Sequence, residues 1–143
     1  MYSVANKIDY DYAGGLEEAF PACDPGVQPF GSRVVVQIRT PKKKTKGGII
    51  LTDEVRETDL YNMQVAKVIA VGSLAFRNRN TGELWPEGSW CEIGDFVRVP
   101  RYGGDRWTVK VNGGEDEAVI VIFNDLDLIG KVTGDPLAVK AFL

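Results

Sequence analysis

The spacing of apolar and polar residues divides most of the chain into short strands. Residues 32–39 alternate, with Val34, Val36 and Ile38 on one face and Arg33, Gln37 and Arg39 on the other, which predicts a half-buried strand. Val35 falls on the polar face, a position suited to meeting a second subunit. A second strand is predicted at about residues 63–71. It places Val65, Ile69 and Val71 on one face and Ala66, Val68 and Ala70 on the other, so burial on both sides is expected. Residues 73–92 form an excursion that rises to a turn at Asn80, Thr81 and Gly82 and returns through Trp85. Phe76, Leu84, Trp85 and Trp90 are expected to give it an apolar cluster of its own. A plain surface hairpin and a hairpin that meets its copies in an assembly both fit this stretch.

Further strands follow at short intervals. Ile93, Gly94 and Asp95 form a turn that launches residues 96–100, and Tyr102, Gly103 and Gly104 make a tight reversal. Residues 107–111 alternate, with Trp107, Val109 and Val111 expected inward. A turn at Asn112, Gly113 and Gly114 leads to residues 118–123, which are apolar on both faces and therefore expected to be central. Residues 124–127 turn, and residues 128–132 make a last short strand. Strong helix signals are absent between Pro29 and Val132. The fold class that follows is all-β: a small, irregular antiparallel β-barrel over residues 29–133. Residues 1–28, with Tyr2, Tyr10 and Tyr12 and repeated Pro and Gly, form an N-terminal arm. They suit either packing on a neighbouring subunit or a frayed tail. Residues 134–143 form a tail with an apolar end at Ala141, Phe142 and Leu143.

One stretch breaks the strand pattern. After Pro41 come Lys42, Lys43, Lys44, Thr45 and Lys46, then Gly47 and Gly48, then the apolar triplet Ile49, Ile50 and Leu51. Polar and charged residues follow as far as Thr58. Such a segment buries too little apolar area to offset the entropy of ordering itself, and it is expected to be mobile in the free protein. A triplet of aliphatic side chains on a polar tether suits a segment that orders on binding. An edge strand with a basic start is the other reading.

Composition narrows the function. The chain has 143 residues, enough for one domain with a core, and its 44% hydrophobic and 26% charged content is that of a soluble globular protein. A net charge of −3 argues against general nucleic-acid binding. No apolar run approaches the length of a membrane span, and residues 1–12 lack a signal-peptide pattern, so a cytoplasmic location is expected. Cys23 and Cys91 fit no metal or redox spacing and are expected to be sheltered free thiols. Histidine is absent, which removes the commonest general base. Asp53, Glu54, Glu57 and Asp59, and separately Glu115, Asp116 and Glu117, are expected to be solvated acids rather than catalytic pairs. No phosphate-cradling glycine loop precedes a helix. No enzyme activity, metal or cofactor is expected.

The order of these elements resembles the GroES family of co-chaperonins. Pro29, Phe30, Gly31, Ser32, Arg33 and Val34 look like the family's first strand, with Ser32 in place of the usual acid. Gly47-Gly48-Ile49-Ile50-Leu51 is similar to its mobile loop, here spanning residues 41–60. Residues 67–72 look like the strand after that loop, and Ile93-Gly94-Asp95-Phe96-Val97 resembles its Val-Gly-Asp turn. Residues 73–92 take the place of its roof hairpin, and residues 118–122 and 125–132 look like its closing strands. The resemblance implies a ring of seven subunits that caps a GroEL-type chaperonin. The chaperonin-binding residues would be Gly47, Gly48, Ile49, Ile50 and Leu51. A substrate protein would be enclosed while the partner consumes ATP. The additions at both ends and the longer roof segment suit a divergent, bacteriophage-encoded copy. The rival reading is a structural virion, scaffold or capsid-decoration protein built on the same barrel, favoured by the arm. Zinc-dependent alcohol dehydrogenases share the barrel too, but their metal ligands and dinucleotide-binding half are missing here.

Overall fold

Valine and isoleucine dominate the extended stretches, because β-branched side chains pack well on a pleated surface. The computed structural model describes residues 19–38, 64–100, 102–114 and 116–136. They contain six strands: β1 Arg33–Ile38, β2 Val65–Val71, β3 Phe96–Arg98, β4 Asp105–Val111, β5 Asp116–Asn124 and β6 Gly130–Lys131. Every ladder is antiparallel. The strands form one six-stranded sheet in the order β4-β5-β1-β2-β3-β6. The all-β antiparallel expectation therefore holds. Closure into a barrel does not, because no ladder among the described residues joins β4 to β6.

The register sorts the side chains into two faces. Residues directly opposed across an antiparallel ladder share a face. Val34 pairs with Phe123 and Val71, Val36 with Val121 and Val68, and Ile38 with Val119 and Ala66. These residues form the main core together with Val97 and Val99. The β1–β2 register shifts between Val35 and Val36, so that Val35 pairs with Ala70 while Val36 pairs with Val68. Ile69 is the extra residue of a β-bulge, and a bulge reverses the alternation beyond it. Val71 consequently joins Val68 and Ala66 in the core, whereas Val65 lies on the opposite face. The predicted grouping of Val65, Ile69 and Val71 is corrected by that one inserted residue.

The excursion covers the core face. Arg77 bridges to Leu84, the Asn78 N–H donates to the Glu83 carbonyl at 2.7 Å, and the Trp85 N–H donates to the Phe76 carbonyl at 3.1 Å. Phe76 and Cys91 are buried in the main core, with Trp85 and Trp90 packed against it. The cluster expected to belong to the excursion alone is therefore an extension of that core, and Leu84 is exposed at its edge. Phe76 adopts a left-handed conformation, φ 62°, which a bulky residue takes only when its surroundings impose it. What imposes it is Asp125, a buried carboxylate in a 3-10 turn after β5. Asp125 Oδ2 accepts the Phe76 N–H at 2.8 Å, and Oδ1 accepts the Leu126 N–H at 2.8 Å and Arg79 Nη2 at 3.0 Å. Its own N–H donates to the Ser32 carbonyl. One side chain thus ties the excursion, the entry to β1 and the end of β5 together.

The second face is also covered, by residues preceding the expected domain boundary at Pro29. Ala19, Phe20 and Val65 form a separate buried cluster against Phe96 and Val132. Phe20 meets Phe96 edge-on, with ring centroids 5.0 Å apart. Gln37 Nε2 donates to the Pro21 carbonyl at 2.8 Å, and Trp107 Nε1 donates to the Pro25 carbonyl at 3.2 Å. Val35 and Gln37 are accordingly buried within their own subunit, not set on a polar face awaiting another. Trp107, which pairs with Ile120 and through it with Gln37, also faces this side, so the residues expected inward on β4 turn away from the main core. The arm expected over residues 1–28 is described only from residue 19, and the apolar end at Ala141, Phe142 and Leu143 lies outside the described residues.

The turn before β3 behaves as its sequence implies. Asp95 Oδ2 accepts the Glu92 N–H at 2.9 Å and lies 3.4 Å from Lys131 Nζ. The hydrogen bond from Glu92 chiefly, and the lysine after it, hold the Asp95 carboxyl below its ordinary value of 3.8. Cys23 and Cys91 are free, and burial pushes the Cys91 thiol up to about 11, so it stays protonated at neutral pH.

Two predictions follow from these carboxylates. Asp125→Ala orphans two backbone N–H groups and should cost about 3 kcal/mol. Arg79→Ala removes a half-exposed partner and should cost less than about 1 kcal/mol; urea unfolding of both variants measures the difference. For Asp95 the folded pKa lies below the unfolded one. Its contribution is therefore complete above the ordinary aspartate range and is lost as pH falls through the folded value. Asp95→Asn should be less stable than the native chain at pH 7, with the gap closing as pH falls below the ordinary aspartate range, as read from urea midpoints.

Candidate functional site

Gly47, Gly48, Ile49, Ile50 and Leu51 belong to residues 39–63, which lie outside the described residues. The described structure brings in the frame from which that segment departs. Ile38, the last described residue before it, pairs with Ala66, and Gln37 pairs with Lys67. Ile38 and Ala66, the described pair nearest the segment, thus lie on neighbouring strands, about 5 Å apart by ordinary strand spacing. Gln64 fastens the returning end. Its carbonyl accepts the Val99 N–H at 2.9 Å, and its Nε2 donates to the Val99 carbonyl at 3.4 Å.

The other end of the β1–β2 ladder carries the excursion. There Val34 pairs with Val71, and Gly72 follows. The Gly72 N–H donates to the Arg33 carbonyl at 2.8 Å. A Cβ on Gly72 would collide with the Gly31 carbonyl, so the close return of the chain at this point requires glycine. The Leu74 N–H donates to the same Gly31 carbonyl at 2.9 Å. Phe30, Leu74 and Leu126 stand exposed around this turn, with Phe30 78% exposed. The excursion therefore departs from the end of the ladder opposite to Ile38 and Ala66.

The described side chains are arranged to hold backbone in place. The carboxylate of Asp125 is taken up by backbone N–H groups and Arg79, and Lys131 lies against Asp95. A cavity of about 470 Å³ opens between the excursion and β6, lined in part by Trp90, Cys91, Val97, Leu128 and Lys131. The Cys91 thiol in it is protonated at neutral pH, and Lys131 lies 3.4 Å from Asp95. Among the described residues no three His, Cys, Asp or Glu side chains gather as a metal site would need. No helix among them is long and apolar enough to cross a membrane.

Sequence reasoning missed Asp125 and Gln37. Nothing in periodicity marks an Asp at a strand end, or a Gln on a mixed face, as a buried anchor. The one available signal was polar identity inside an otherwise apolar stretch, as with Gln37 between Val36 and Ile38.

Comparison with known proteins adds the family. Residues 26–132 match the family model described as the chaperonin 10 Kd subunit. A protein named co-chaperonin GroES from Thermus thermophilus is 35% identical over 107 residues, covering 72% of this chain and 88% of that protein. The co-chaperonin GroES of Symbiobacterium thermophilum is 32% identical over 112 residues, covering 76% and 98% respectively. That of Lactococcus lactis subsp. cremoris is 33% identical over 106 residues, covering 74% and 98%. With a match across the sheet and the excursion alike, the chain belongs to the chaperonin 10 kDa subunit family, the GroES co-chaperonins.

Proposed function

We propose that the protein forms a ring of seven copies that caps a GroEL-type chaperonin and encloses a substrate protein during ATP-dependent folding. Gly47, Gly48, Ile49, Ile50 and Leu51 make the contact. The observation that carries this reading is the family match over residues 26–132, which takes in these five residues between the paired strands β1 and β2. The exposed Phe30, Leu74 and Leu126 support self-association, because an isolated subunit leaves them in water. The protein carries out no catalysis of its own; ATP is consumed by the partner, in the cytoplasm.

The energetics suit a reversible cap. Burying Ile49, Ile50 and Leu51 in an apolar groove yields about 5–8 kcal/mol gross. Ordering the segment costs about 1–2 kcal/mol for each residue fixed. A single contact is therefore weak. Several contacts on one ring become intramolecular after the first, and avidity rises by orders of magnitude. Weak individual contacts also allow release when the partner changes state. Gly47 and Gly48 leave the backbone free to take up the bound turn, and the lysines before them keep the segment solvated.

Ile50→Asp places a charge in the apolar contact and should weaken capping at least ~100-fold, since each of several copies loses affinity. The assembled ring should keep its native mass. Sedimentation with an ATP-loaded chaperonin measures the first and native mass spectrometry the second. Undiminished co-sedimentation would remove these residues from the site.

A further inference from the structure

The residues that cover the second face of the sheet follow one line across it. Trp107 pairs with Ile120, Ile120 with Gln37, Gln37 with Lys67, and Lys67 with Phe96. These five residues form a single lateral row running over β4, β5, β1, β2 and β3. Residues 19–25 lie along that row. Phe20 packs on Phe96 at one side, the Pro21 carbonyl takes the Gln37 side-chain N–H in the middle, and the Pro25 carbonyl takes the Trp107 indole N–H at the other side. The row is adjacent to the last described pair of the β1–β2 ladder, Ile38 and Ala66. Phe20 also contacts the cluster containing Val65, the first residue of β2. Residues 19–25 precede the stretch that matches the family model.

We infer that residues 19–25 are a strap that fixes the root of the chaperonin-binding segment, with Phe20 and Gln37 as its positioning residues. This rests on the function proposed above. The strap grips β1 at Gln37, one residue before the last described residue of that strand, and touches β2 at Val65, its first residue. A hydrogen bond from a buried Gln37 and a buried aromatic ring hold both strands at that end. The far end of the ladder is held separately, by Asp125 and the excursion. A fixed root narrows the directions in which the segment departs, and so lowers the entropy lost when it docks.

The test compares two variants of the full chain, Phe20→Ala and Gln37→Met, with the native chain. The second keeps the shape of the side chain and drops its hydrogen bond. Amide hydrogen exchange reads the root at Val99, whose N–H is bonded to Gln64, and at Val132, whose N–H is bonded to Phe96. It reads the far end at Asn78, Gly82 and Trp85. Exchange at the root should accelerate by roughly 10-fold in Phe20→Ala and roughly 3-fold in Gln37→Met, with the far end unchanged. Affinity for an ATP-loaded chaperonin should fall by about 3–10-fold while native mass is retained. Equal acceleration at both ends, or none at either, overturns the strap, because the segment would then add only general stability or nothing. Local loosening with unchanged affinity overturns its positioning role. If Phe20→Ala does not fold, Gln37→Met decides by the same readings. A native chain that fails to bind the chaperonin overturns the proposed function and the positioning role with it, while the exchange pattern still judges whether the strap holds the root.

Discussion

Val34, Val35, Val36, Gln37 and Ile38 are all shielded from water, so β1 is buried on both faces. A strand in that position needs a cover on each side, and an open sheet cannot supply either from its own strands. The excursion of residues 73–92 covers one face and residues 19–25 cover the other. Both covers come from segments with little regular structure. They hold because each is fastened by a buried polar anchor, Asp125 on one side and Gln37 on the other.

The two anchors act at opposite ends of the β1–β2 ladder, which gives the molecule its polarity. Asp125 gathers two backbone N–H groups and a guanidinium, and in doing so stabilises the left-handed backbone at Phe76. That end is closed and internally satisfied. At the other end the last described pair of the ladder is Ile38 and Ala66, and in sequence the chain continues to residues 47–51. A rigid sheet with one pinned end and one departing segment is suited to presenting a contact to another molecule.

Most of the strands were legible in the sequence because their alternation and their glycine turns agree with each other, as in residues 118–123 between the turns at Gly113 and Asn124. Three features were not. The bulge at Ile69 leaves no mark in an apolar run, since every residue there tolerates either face. Barrel closure depends on whether distant edges meet, which local pattern does not encode. The cover of residues 19–25 has too few apolar residues to show a period, and its fastening uses the Pro21 and Pro25 carbonyls, which sequence chemistry does not single out. The proposed contact residues rest on a different signal: in the sequence, Ile49, Ile50 and Leu51 sit where the alternation fails.

The account stands on the claim that this triplet serves another molecule. The most direct measurement places a photoreactive side chain at position 50 of the assembled ring and irradiates it with an ATP-loaded GroEL-type chaperonin. The account predicts that cross-links form to the chaperonin subunit, require nucleotide, and map to one apolar groove. Cross-links confined to the protein's own ring, whether or not nucleotide is present, would contradict it.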